Sequence, residues 1–252
     1  MESGNKSAIV TGGAKRIGGE IAKALGKRGW FVYLHFNSSI TAAKTILDEI
    51  ENGGGKGKLI RGDLSSPSCG EHLIDQIDAD APPVKLLINN AARFEYDDVS
   101  NITSGSLDKH FFVNVRGPVL LSKAFFESLE DGHKGCIINI LDNKVFSINP
   151  DFLSYTISKV ALHGTTEAFA MAMAPRVRVN GIAPGITLES GGQGQASFEK
   201  GQKMSPIGKV SSVEDIIKAV FFILETESLN GHVITIDGGQ RLQKLDRDVA
   251  FV

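Results

Sequence analysis

The sequence predicts an α/β fold in which helices cover both faces of a doubly wound parallel sheet of about seven strands. Short apolar runs alternate with segments of helical periodicity along the 252 residues. Runs of this kind, buried on both faces and separated by crossover helices, are typical of parallel sheets. No Pro- or Gly-rich linker breaks the alternation, so we predict that residues 1–252 form one domain.

The first half of the chain contains four predicted strands and three predicted helices. Residues 17–28 place their apolar side chains on one helical face, and residues 31–36 (FVYLHF) are rich in strand formers. The helix at 41–51 ends at three consecutive glycines. In chain order the elements are strand 7–11, helix 17–28, strand 31–36, helix 41–51, a weaker strand 58–61, helix 67–78 and strand 84–88.

The second half continues the alternation with three helices and three strands. Its first helix contains Pro118, which cannot donate a helical hydrogen bond, so we expect a kink there. The next helix ends near Pro175. In chain order the elements are helix 107–129, strand 136–141, helix 153–173, strand 177–182, helix 213–224 and strand 232–236.

Charge and composition argue against several classes of function. The 27 basic and 29 acidic residues give a net charge of −2, so nucleic acid is not an expected partner. The longest apolar runs fall far short of the roughly 20 residues that cross a bilayer, and residues 1–7 are too polar for a secretory signal. Two cysteines form no disulfide framework and indicate a reducing, cytoplasmic compartment. We predict no metal site.

Unusual sequences follow four of the predicted strands. They are Thr11-Gly12-Gly13, Asn89-Asn90-Ala91, Leu141-Asp142-Asn143 and Ala183-Pro184-Gly185. In open parallel sheets, ligands bind outside the carboxyl ends of the strands. We therefore expect these segments to form one binding crevice.

The glycine-rich segment from Thr11 to Gly19 joins the first strand to the first helix. Glycines allow a sharp turn, and a helix N-terminus offers N–H groups to a phosphate. The strict G-x-G-x-x-G pattern is absent, and Gly19-Glu20 stands where an ATPase loop requires Gly-Lys and then Ser or Thr. The segment is a candidate phosphate loop, although the same glycines also suit a simple strand-to-helix turn.

Six segments together resemble the classical short-chain dehydrogenases/reductases, a family with a Rossmann-type fold. The segments occur in the family's order and spacing and extend over nearly the whole chain. The family's patterns match as follows: T-G-x-x-x-[GR]-x-G at Thr11 to Gly18, N-N-A at Asn89 to Ala91, the helix asparagine at Asn114, Y-x-x-x-K at Tyr155 to Lys159, R-V-N-x-[IV]-x-P-G at Arg178 to Gly185, and D-G-G at Asp237 to Gly239.

Tyr155 and Lys159 are four residues apart on a predicted helix and therefore share a face. A phenol donates a proton poorly at neutral pH, and we expect the neighbouring ammonium to lower its pKa. The resemblance implies that Tyr155 is the proton donor, that Lys159 tunes it and holds the nicotinamide ribose, and that Asn114 holds a water of the proton relay. Taken alone, the same spacing would also suit a buried tyrosine and a solvated lysine.

Asp142 stands thirteen residues before Tyr155, where most of the family has a serine at this position or the next. Hydride addition to a ketone builds negative charge on oxygen, which a carboxylate would repel. An aspartate can instead accept hydrogen bonds from N–H groups or deliver a proton to a ring nitrogen, which favours reduction of a C=N bond. Asp142 could alternatively be a helix cap or a salt-bridge residue.

Aspartate, tyrosine and lysine at this spacing resemble the pteridine reductase branch of the family. Arg16 in the loop and Leu34-His35-Phe36 in the second strand are similar too. The resemblance implies that Phe94 stacks on the substrate ring, although ordinary wall packing is the alternative. The chain departs from the branch in two places: residues 37–39 lack the basic residue that binds the cofactor's 2′-phosphate, and Ala92 replaces a serine.

We predict NADP(H) as the cofactor. NAD-specific folds usually place an acidic residue after the second strand, and none occurs between His35 and Ile40. Arg16, unless it is a solvated surface residue, can bind a 2′-phosphate with help from neutral donors. The residues expected at the cofactor are Gly12, Arg16, Ile17, Gly18, Asn37, Ser38, Ser39, Asp63, Leu64, Asn90, Ala91, Tyr155, Lys159, Pro184, Gly185 and Thr187, with Asp63 and Leu64 beside the adenine by resemblance.

The leading hypothesis is an NADPH-dependent pteridine reductase that binds a dihydropterin or dihydrofolate-like ring through Phe94, Asp142 and Tyr155. The alternatives are a carbonyl reductase, for a 3-oxoacyl thioester, sugar or other alcohol, and a redox sensor that binds NADP(H) without turnover. The segment around 188–206 is predicted to be a substrate lid rather than a plain insertion. The resemblance implies a homo-oligomer, commonly a tetramer formed through helices 107–129 and 153–173, and the tail 240–252 is a candidate contact with a neighbouring subunit.

Overall fold

A computed structural model describes residues 6–188, 205–209, 211–243, 246–248 and 251. In this part of the chain one seven-stranded sheet has the order β3-β2-β1-β4-β5-β6-β7, and every neighbouring pair is parallel. The strands are β1 (Ser7–Val10), β2 (Phe31–Phe36), β3 (Lys56–Arg61), β4 (Val84–Asn89), β5 (Gly135–Ile140), β6 (Val177–Pro184) and β7 (Val233–Ile236). The predicted α/β, doubly wound fold is confirmed.

Helices pack on both faces of the sheet and enclose two apolar cores. Alternate residues of β1 divide between them, since Ala8 and Val10 belong to one core and Ile9 to the other. The first core includes α1, α2 and α7, and the second includes α3, α5 and α6. The helices are α1 (Arg16–Lys27), α2 (Ile40–Asn52), α3 (Cys69–Ile74), α4 (Ser104–Phe111), α5 (Gly117–Ser128), α6 (Leu153–Ala172) and α7 (Val213–Glu225).

The predicted helix 107–129 is in fact two α-helices joined by a π-helical turn, Phe112–Arg116. It begins at Ser104 because Thr103 and Ser106 form a reciprocal capping box, with bonds of 3.0 and 3.1 Å. Pro118 lies in the first turn of α5, where its missing N–H is not needed. The irregularity therefore precedes the proline instead of being a kink at it.

The predicted helix 67–78 is also shorter in the structure, where α3 ends at Ile74. Beyond this residue the backbone changes to tighter i→i+3 bonding, and the N–H of Ile77 donates to the carbonyl of Ile74 at 3.0 Å. The side chains of His72 and Gln76 hydrogen-bond to the carbonyl of Arg61 at the carboxyl end of β3, at 3.1 and 2.9 Å.

The strand order reverses between β1 and β4, which are neighbours in the sheet although β2 and β3 lie between them in the chain. Such a switch point opens a crevice at the carboxyl ends of the strands, because the crossover connections leave it in opposite directions.

Candidate active site

A cavity of about 1000 Å³ lies at the carboxyl ends of β1, β4, β5 and β6. All four unusual segments that the sequence places at this edge contribute to its walls. The predicted site residues that line it are Gly12, Arg16, Ile17, Gly18, Asn90, Ala91, Phe94, Asp142, Tyr155, Lys159, Pro184, Gly185 and Thr187. The structure thus brings most of the predicted site together.

The phosphate loop between β1 and α1 is attached to the end of β4. The Thr11 hydroxyl accepts hydrogen bonds from the backbone N–H groups of Asn90 and Ala91, at 2.9 and 3.1 Å. The Asn90 amide donates to the carbonyls of Thr11 and Gly12, at 2.9 and 3.3 Å. A Cβ at Gly18 would lie 2.5 Å from the Gly12 carbonyl oxygen, so glycine is needed for this close approach. A tight turn that opens a helix N-terminus fits the pyrophosphate of a dinucleotide.

Arg16, the first residue of α1, adopts the left-handed backbone conformation with a φ of 54°. Its side chain lines the cavity, and its Nη2 atom donates to the carbonyl of Leu188 at 3.5 Å. Lys15 lines the same wall, although the sequence analysis gave it no role. Two cations at the mouth of the cavity fit a cofactor that carries phosphate groups.

His35, near the end of β2, hydrogen-bonds to the phosphate loop. Its Nδ1 accepts the N–H of Gly12 at 3.1 Å, and its Nε2 lies 3.1 Å from the carbonyl of Gly62. This pairing requires the proton on Nε2. Burial lowers the pKa of His35 to about 4, so the ring is neutral at physiological pH and connects the loop to the end of β3.

The start of α6 is fixed by contacts with the segment that follows β4. The Asp97 carboxylate accepts the N–H of Ser154 at 2.9 Å and also the Ser154 hydroxyl. The Leu153 N–H donates to the Asp97 carbonyl at 3.1 Å. Because α6 carries Tyr155 and Lys159, these bonds set the position of both side chains in the cavity.

The reactive groups meet on the cavity floor. The Tyr155 hydroxyl donates to Oδ2 of Asp142 at 2.8 Å, and the other oxygen of Asp142 accepts the N–H of Lys144 at 2.9 Å. The Lys159 ammonium donates to the carbonyl of Ile140 at 2.7 Å. Asp142 therefore caps the short 3₁₀ turn 143–145, which is one of its two predicted roles, and it also contacts the tyrosine; its catalytic role stays a prediction.

The expected direction of the Tyr155 pKa shift is wrong. Burial and the charge of Asp142 raise the pKa of Tyr155 well above its usual value, and the ammonium of Lys159 does not reverse this. Burial also raises the pKa of Asp142 and lowers that of Lys159 to about 8. The phenol therefore keeps its proton and donates it in a hydrogen bond to Asp142, while burial of Asp142 favours the protonated form of its carboxyl.

Asn114 lies in the π-helical turn and is buried beneath the cavity wall rather than in it. Its amide donates to the carbonyl of Arg93 and to the hydroxyl of Ser158, both at 2.9 Å, and its oxygen accepts the N–H of Arg93 at 2.7 Å. Asn114 thus holds the chain just before Phe94 against the catalytic helix. Its predicted role in holding a water stays a prediction.

Phe94 forms part of an aromatic wall. Its ring stacks on Phe152 with a centroid distance of 4.3 Å and contacts the edge of Tyr155 at 4.7 Å. Phe94 remains 41% exposed, which leaves apolar surface available in the cavity. Phe152 has a left-handed backbone with a φ of 54°, and this turns its ring toward the cavity just before α6 begins.

Several predicted cofactor residues lie outside the main cavity. Asn37 and Asp63 line a second cavity of about 490 Å³ at the ends of β2 and β3, together with Arg61. The Arg61 Nε donates to the carbonyl of Asn37 at 3.2 Å, so this cation occupies the region where the sequence lacked one. Ser38 and Ser39 lie at the surface before α2, while Leu64 is buried in the core, so its side chain is not available to an adenine.

A polar and aromatic group that was not predicted from the sequence also lines the main cavity. It consists of Lys144, Asn149, Phe152, Asp248 and Phe251. Within the tail, Arg247, Asp248 and Phe251 contact residues of their own chain at this cavity, and the expected contact of the tail with a neighbouring subunit stays a prediction. No motif identifies this group, because its members come from distant parts of the sequence.

The predicted lid falls largely on residues 189–204, outside the described part of the chain. Leu188 and Ser205 flank it, and the Ser205 hydroxyl donates to the Gly238 carbonyl at 2.6 Å. Across the described residues, no helix combines the length and apolar character that a membrane crossing requires. Cys69 and Cys136 are both buried free thiols.

Comparison with known proteins finds similar sequences and structures among oxidoreductases. The chain is 31% identical over 244 residues to an uncharacterized oxidoreductase of Methylorubrum extorquens, covering 94% of this chain and 98% of that protein. A crystal structure of FolM alternative dihydrofolate reductase 1 from Brucella suis in complex with NADP is 35% identical, with a TM-score of 0.89 and coverage of 95% and 96%. The promiscuous reductase LugOII, which catalyses keto-reduction at C1 during lugdunomycin biosynthesis, is 29% identical, with a TM-score of 0.88 and coverage of 96% and 100%.

The family assignment rests on a match that includes the phosphate loop, the catalytic helix and the strand that follows it. The model of the short chain dehydrogenase family matches residues 6–199, which is most of the chain. This chain belongs to the short-chain dehydrogenase/reductase family.

Proposed function

We propose that this chain is an NADPH-dependent reductase that adds hydride to a C=N bond of a dihydropterin or dihydrofolate-like ring. The observation that carries the proposal is the 2.8 Å hydrogen bond from the Tyr155 hydroxyl to Asp142. It creates an acid pair beside an aromatic wall, where other members of the family place a serine. A planar ring with basic nitrogens matches both features.

NADPH supplies the hydride when it is bound. The phosphate loop from Gly12 to Gly18 suits its pyrophosphate, and Lys159 and Asn90, which line the same cavity, would hold the nicotinamide half. Arg16 at the mouth and Arg61 beside Asn37 provide positive charge for a 2′-phosphate. The NADP complex of the similar Brucella suis protein supports this choice of cofactor.

Asp142 and Tyr155 supply the proton that accompanies the hydride. Because burial raises the pKa of Asp142, this carboxyl can carry a proton at higher pH than an exposed aspartate and pass it to a ring nitrogen. The Tyr155 hydroxyl, which already donates to Asp142, replaces that proton along the existing hydrogen bond. Lys159 remains a cation below its pKa of about 8 and stabilises negative charge that develops on Tyr155 or Asp142.

A second candidate is an NADPH-dependent ketone reductase. The similarity to LugOII, a keto-reducing enzyme of nearly the same length and fold, favours it. In that case Tyr155 would donate directly to a carbonyl oxygen, and Asp142 would have to be protonated to avoid repelling the charge that builds there. The two candidates therefore differ in what Asp142 does.

NADPH oxidation with 7,8-dihydrobiopterin and with acetoacetyl thioester, for the native chain and for Asp142→Ser, separates these candidates. We expect the native chain to reduce the pterin, and the variant to lose at least 10²-fold in kcat for it, since general acid catalysis contributes about 10²–10⁴-fold. Reduction of the thioester with no pterin activity would reject the pterin proposal in favour of the ketone reductase.

We further propose that the enzyme is a cytoplasmic homotetramer. Four large apolar side chains on α4 and α6 are 37–44% exposed, namely Leu107, Phe111, Ile157 and Val160. Both helices belong to the segments that the family resemblance assigns to subunit contacts. The two buried free thiols are compatible with a reducing compartment.

A further inference from the structure

Residues of the tail, which no motif of the family involves, occupy one side of the main cavity. The tail segment is defined as residues 246–248 and 251. Its first anchor is Asp151, whose two carboxylate oxygens lie 2.8 and 3.1 Å from the Nε of Arg247. The same carboxylate accepts the N–H of Asp248 at 2.7 Å. Although burial acts to raise the pKa of Asp151, these bonds outweigh it and lower the pKa, so the anchor is ionised at neutral pH.

The second anchor is a buried ion pair between Lys144 and Asp248, with a distance of 2.7 Å between Nζ and Oδ2. Both side chains are less than a tenth exposed. The Lys144 ammonium also donates to Oδ1 of Asn149 at 3.0 Å and to the Asp151 carbonyl at 3.1 Å, so each of its three protons has an acceptor. Burying two charges costs desolvation free energy, which their attraction offsets only when both groups are fully hydrogen-bonded. A pair bonded in this way holds the tail segment in one position.

These anchors place Phe251 in the cavity. Its ring is nearly parallel to that of Phe152, with an angle of 22° and a centroid distance of 5.9 Å, and it contacts the edge of Tyr96 at 5.2 Å. Phe152 in turn stacks on Phe94, which touches Tyr155. The three phenylalanines thus form a continuous aromatic row from the tail segment to the catalytic hydroxyl, and Phe251 is 48% exposed at its outer end.

We propose that Phe251 is a specificity-determining residue, which the Lys144–Asp248 pair holds at the outer end of the aromatic row so that the cavity selects extended planar ring substrates over small aliphatic ones. That the ring is a pterin rests on the function proposed above; the preference for planar rings does not. Lys144 and Asp248 act through Phe251 and are positioning residues.

The direct test replaces Phe251 by alanine in the full chain, with Leu242→Ala as the matched control. Leu242 is 73% exposed in the same part of the chain and does not line the cavity. For Phe251→Ala we expect the KM for 7,8-dihydrobiopterin to rise about tenfold, with kcat and the Kd for NADPH, measured by its fluorescence, within twofold of native. The control keeps all three values. An unchanged KM in Phe251→Ala would overturn the proposal.

A separate substitution tests whether Asp248 positions Phe251. Asp248→Asn keeps the side-chain size but removes the charge that pairs with Lys144, so we expect a smaller rise in KM, no change in the Kd for NADPH, and faster hydrogen exchange at residues 246–248 and 251. If Asp248→Asn raises the KM in a variant that already carries Phe251→Ala, then Asp248 acts independently of Phe251 and the positioning role is wrong.

A second substrate pair separates failure of this inference from failure of the proposed function. If the native chain does not reduce the pterin, the same variants are compared on phenanthrenequinone, a planar aromatic diketone, and on butanedione, a small aliphatic one. A KM increase confined to phenanthrenequinone supports the role of Phe251 although the pterin proposal has failed. Equal effects on both diketones, or effects on neither, would reject it.

Discussion

At Tyr155, a hydrogen bond joins two acidic groups, the phenol and the carboxyl of Asp142. The phenol donates to a carboxylate 2.8 Å away, and burial raises the pKa of each partner. A lone buried phenol would be a poor acid, but a pair can release a proton to the substrate from one member while the other resupplies it. The chemistry of the site therefore belongs to Asp142 and Tyr155 jointly.

Replacing Tyr155 by phenylalanine removes one half of this pair and leaves the aromatic wall in place. We expect kcat to fall by about 10²–10⁴-fold, which is the usual contribution of general acid catalysis. The Kd for NADPH and the far-ultraviolet circular dichroism spectrum should stay native. Reductase activity at the native rate would show that the proton comes from elsewhere.

The raised pKa of Asp142 predicts a pH dependence. The protonated carboxyl is the donor, and it loses its proton as the pH rises, so kcat/KM for a pterin should be highest on the acid side and decline as the pH rises through the pKa of Asp142. Asp142→Asn cannot titrate, and its residual activity should lack this decline. A decline of the same shape in the variant would assign it to another group, such as Lys159.

His35 predicts a pH dependence of stability instead of rate. Its pKa is about 4 in the folded state and 6.5 in an unfolded chain, so only the unfolded state takes up a proton between these values. Stability is complete above pH 6.5 and is lost as the pH falls toward 4, by on the order of 3 kcal/mol. Urea unfolding at a series of pH values should show this loss in the native chain and not in His35→Gln.

The residues of the site could be predicted from the sequence wherever reactive side chains occur at a spacing that places them on one helix face or at the end of a strand. Tyr155 and Lys159 share a helical face, and Asp142 directly follows a strand, so their meeting in the cavity follows from the fold. The direction of the Tyr155 pKa shift could not be predicted, because it depends on burial and on the 2.8 Å contact. Lys144 and Asp248 are about a hundred residues apart in sequence, and their charges alone gave no reason to pair them.

At the scale of elements, the π-helical turn between α4 and α5 is what brings Asn114 to the catalytic helix. The turn lets Asn114 bond to the chain before Phe94 and to Ser158 of α6 at once. A pattern of apolar residues predicts a helix here but not its hydrogen-bonding period, which depends on side-chain contacts with other elements. The capping box at Thr103, by contrast, is a local signal that could have corrected the helix start.

The close packing of the phosphate loop on α1 yields a prediction for Gly18. Alanine there would bring a Cβ within 2.5 Å of the Gly12 carbonyl oxygen, so the loop must shift, and we expect a loss of about 1–3 kcal/mol in unfolding free energy. The Kd for NADPH should rise at least tenfold. Both quantities can be measured by urea unfolding and by the fluorescence of NADPH.

Gly164→Ala is the matched control within α6. In the single chain it is exposed, and a Cβ there meets no atom within 4 Å, so we expect alanine to leave the Kd for NADPH unchanged. Equal effects of the two substitutions would mean that the loop does not depend on the close approach at Gly18.

At the scale of the whole molecule, the parallel sheet of about seven strands and the position of the crevice followed from the strict alternation of strands and helices and from the unusual segments at the strand ends. The closure of the crevice by the tail did not, since nothing in the periodicity of residues 240–252 assigns them to an element. The fold class was thus easier to predict from the sequence than the contribution of the tail to the cavity.

The proposed tetramer gives a whole-molecule prediction. Phe111 is 44% exposed on α4. Replacing it by glutamate would place a charge in the proposed subunit contact, and burying an unpaired charge there would destabilise the assembly. Light scattering after size-exclusion chromatography should show four chains for the native protein and fewer for Phe111→Glu. Val99→Glu, at an 83% exposed position outside these helices, should remain tetrameric. A native monomer would contradict the assembly proposal.

The dependence of the aromatic row on Phe251 also orders events during synthesis. The ribosome makes the chain from residue 1 onward, so strands β1 to β6 and the crevice between them can assemble before the tail segment has emerged. A chain clipped by a protease shortly after β7 would keep the phosphate loop and lose the outer end of the aromatic row, so we expect it to retain its affinity for NADPH while its KM for a planar ring substrate rises.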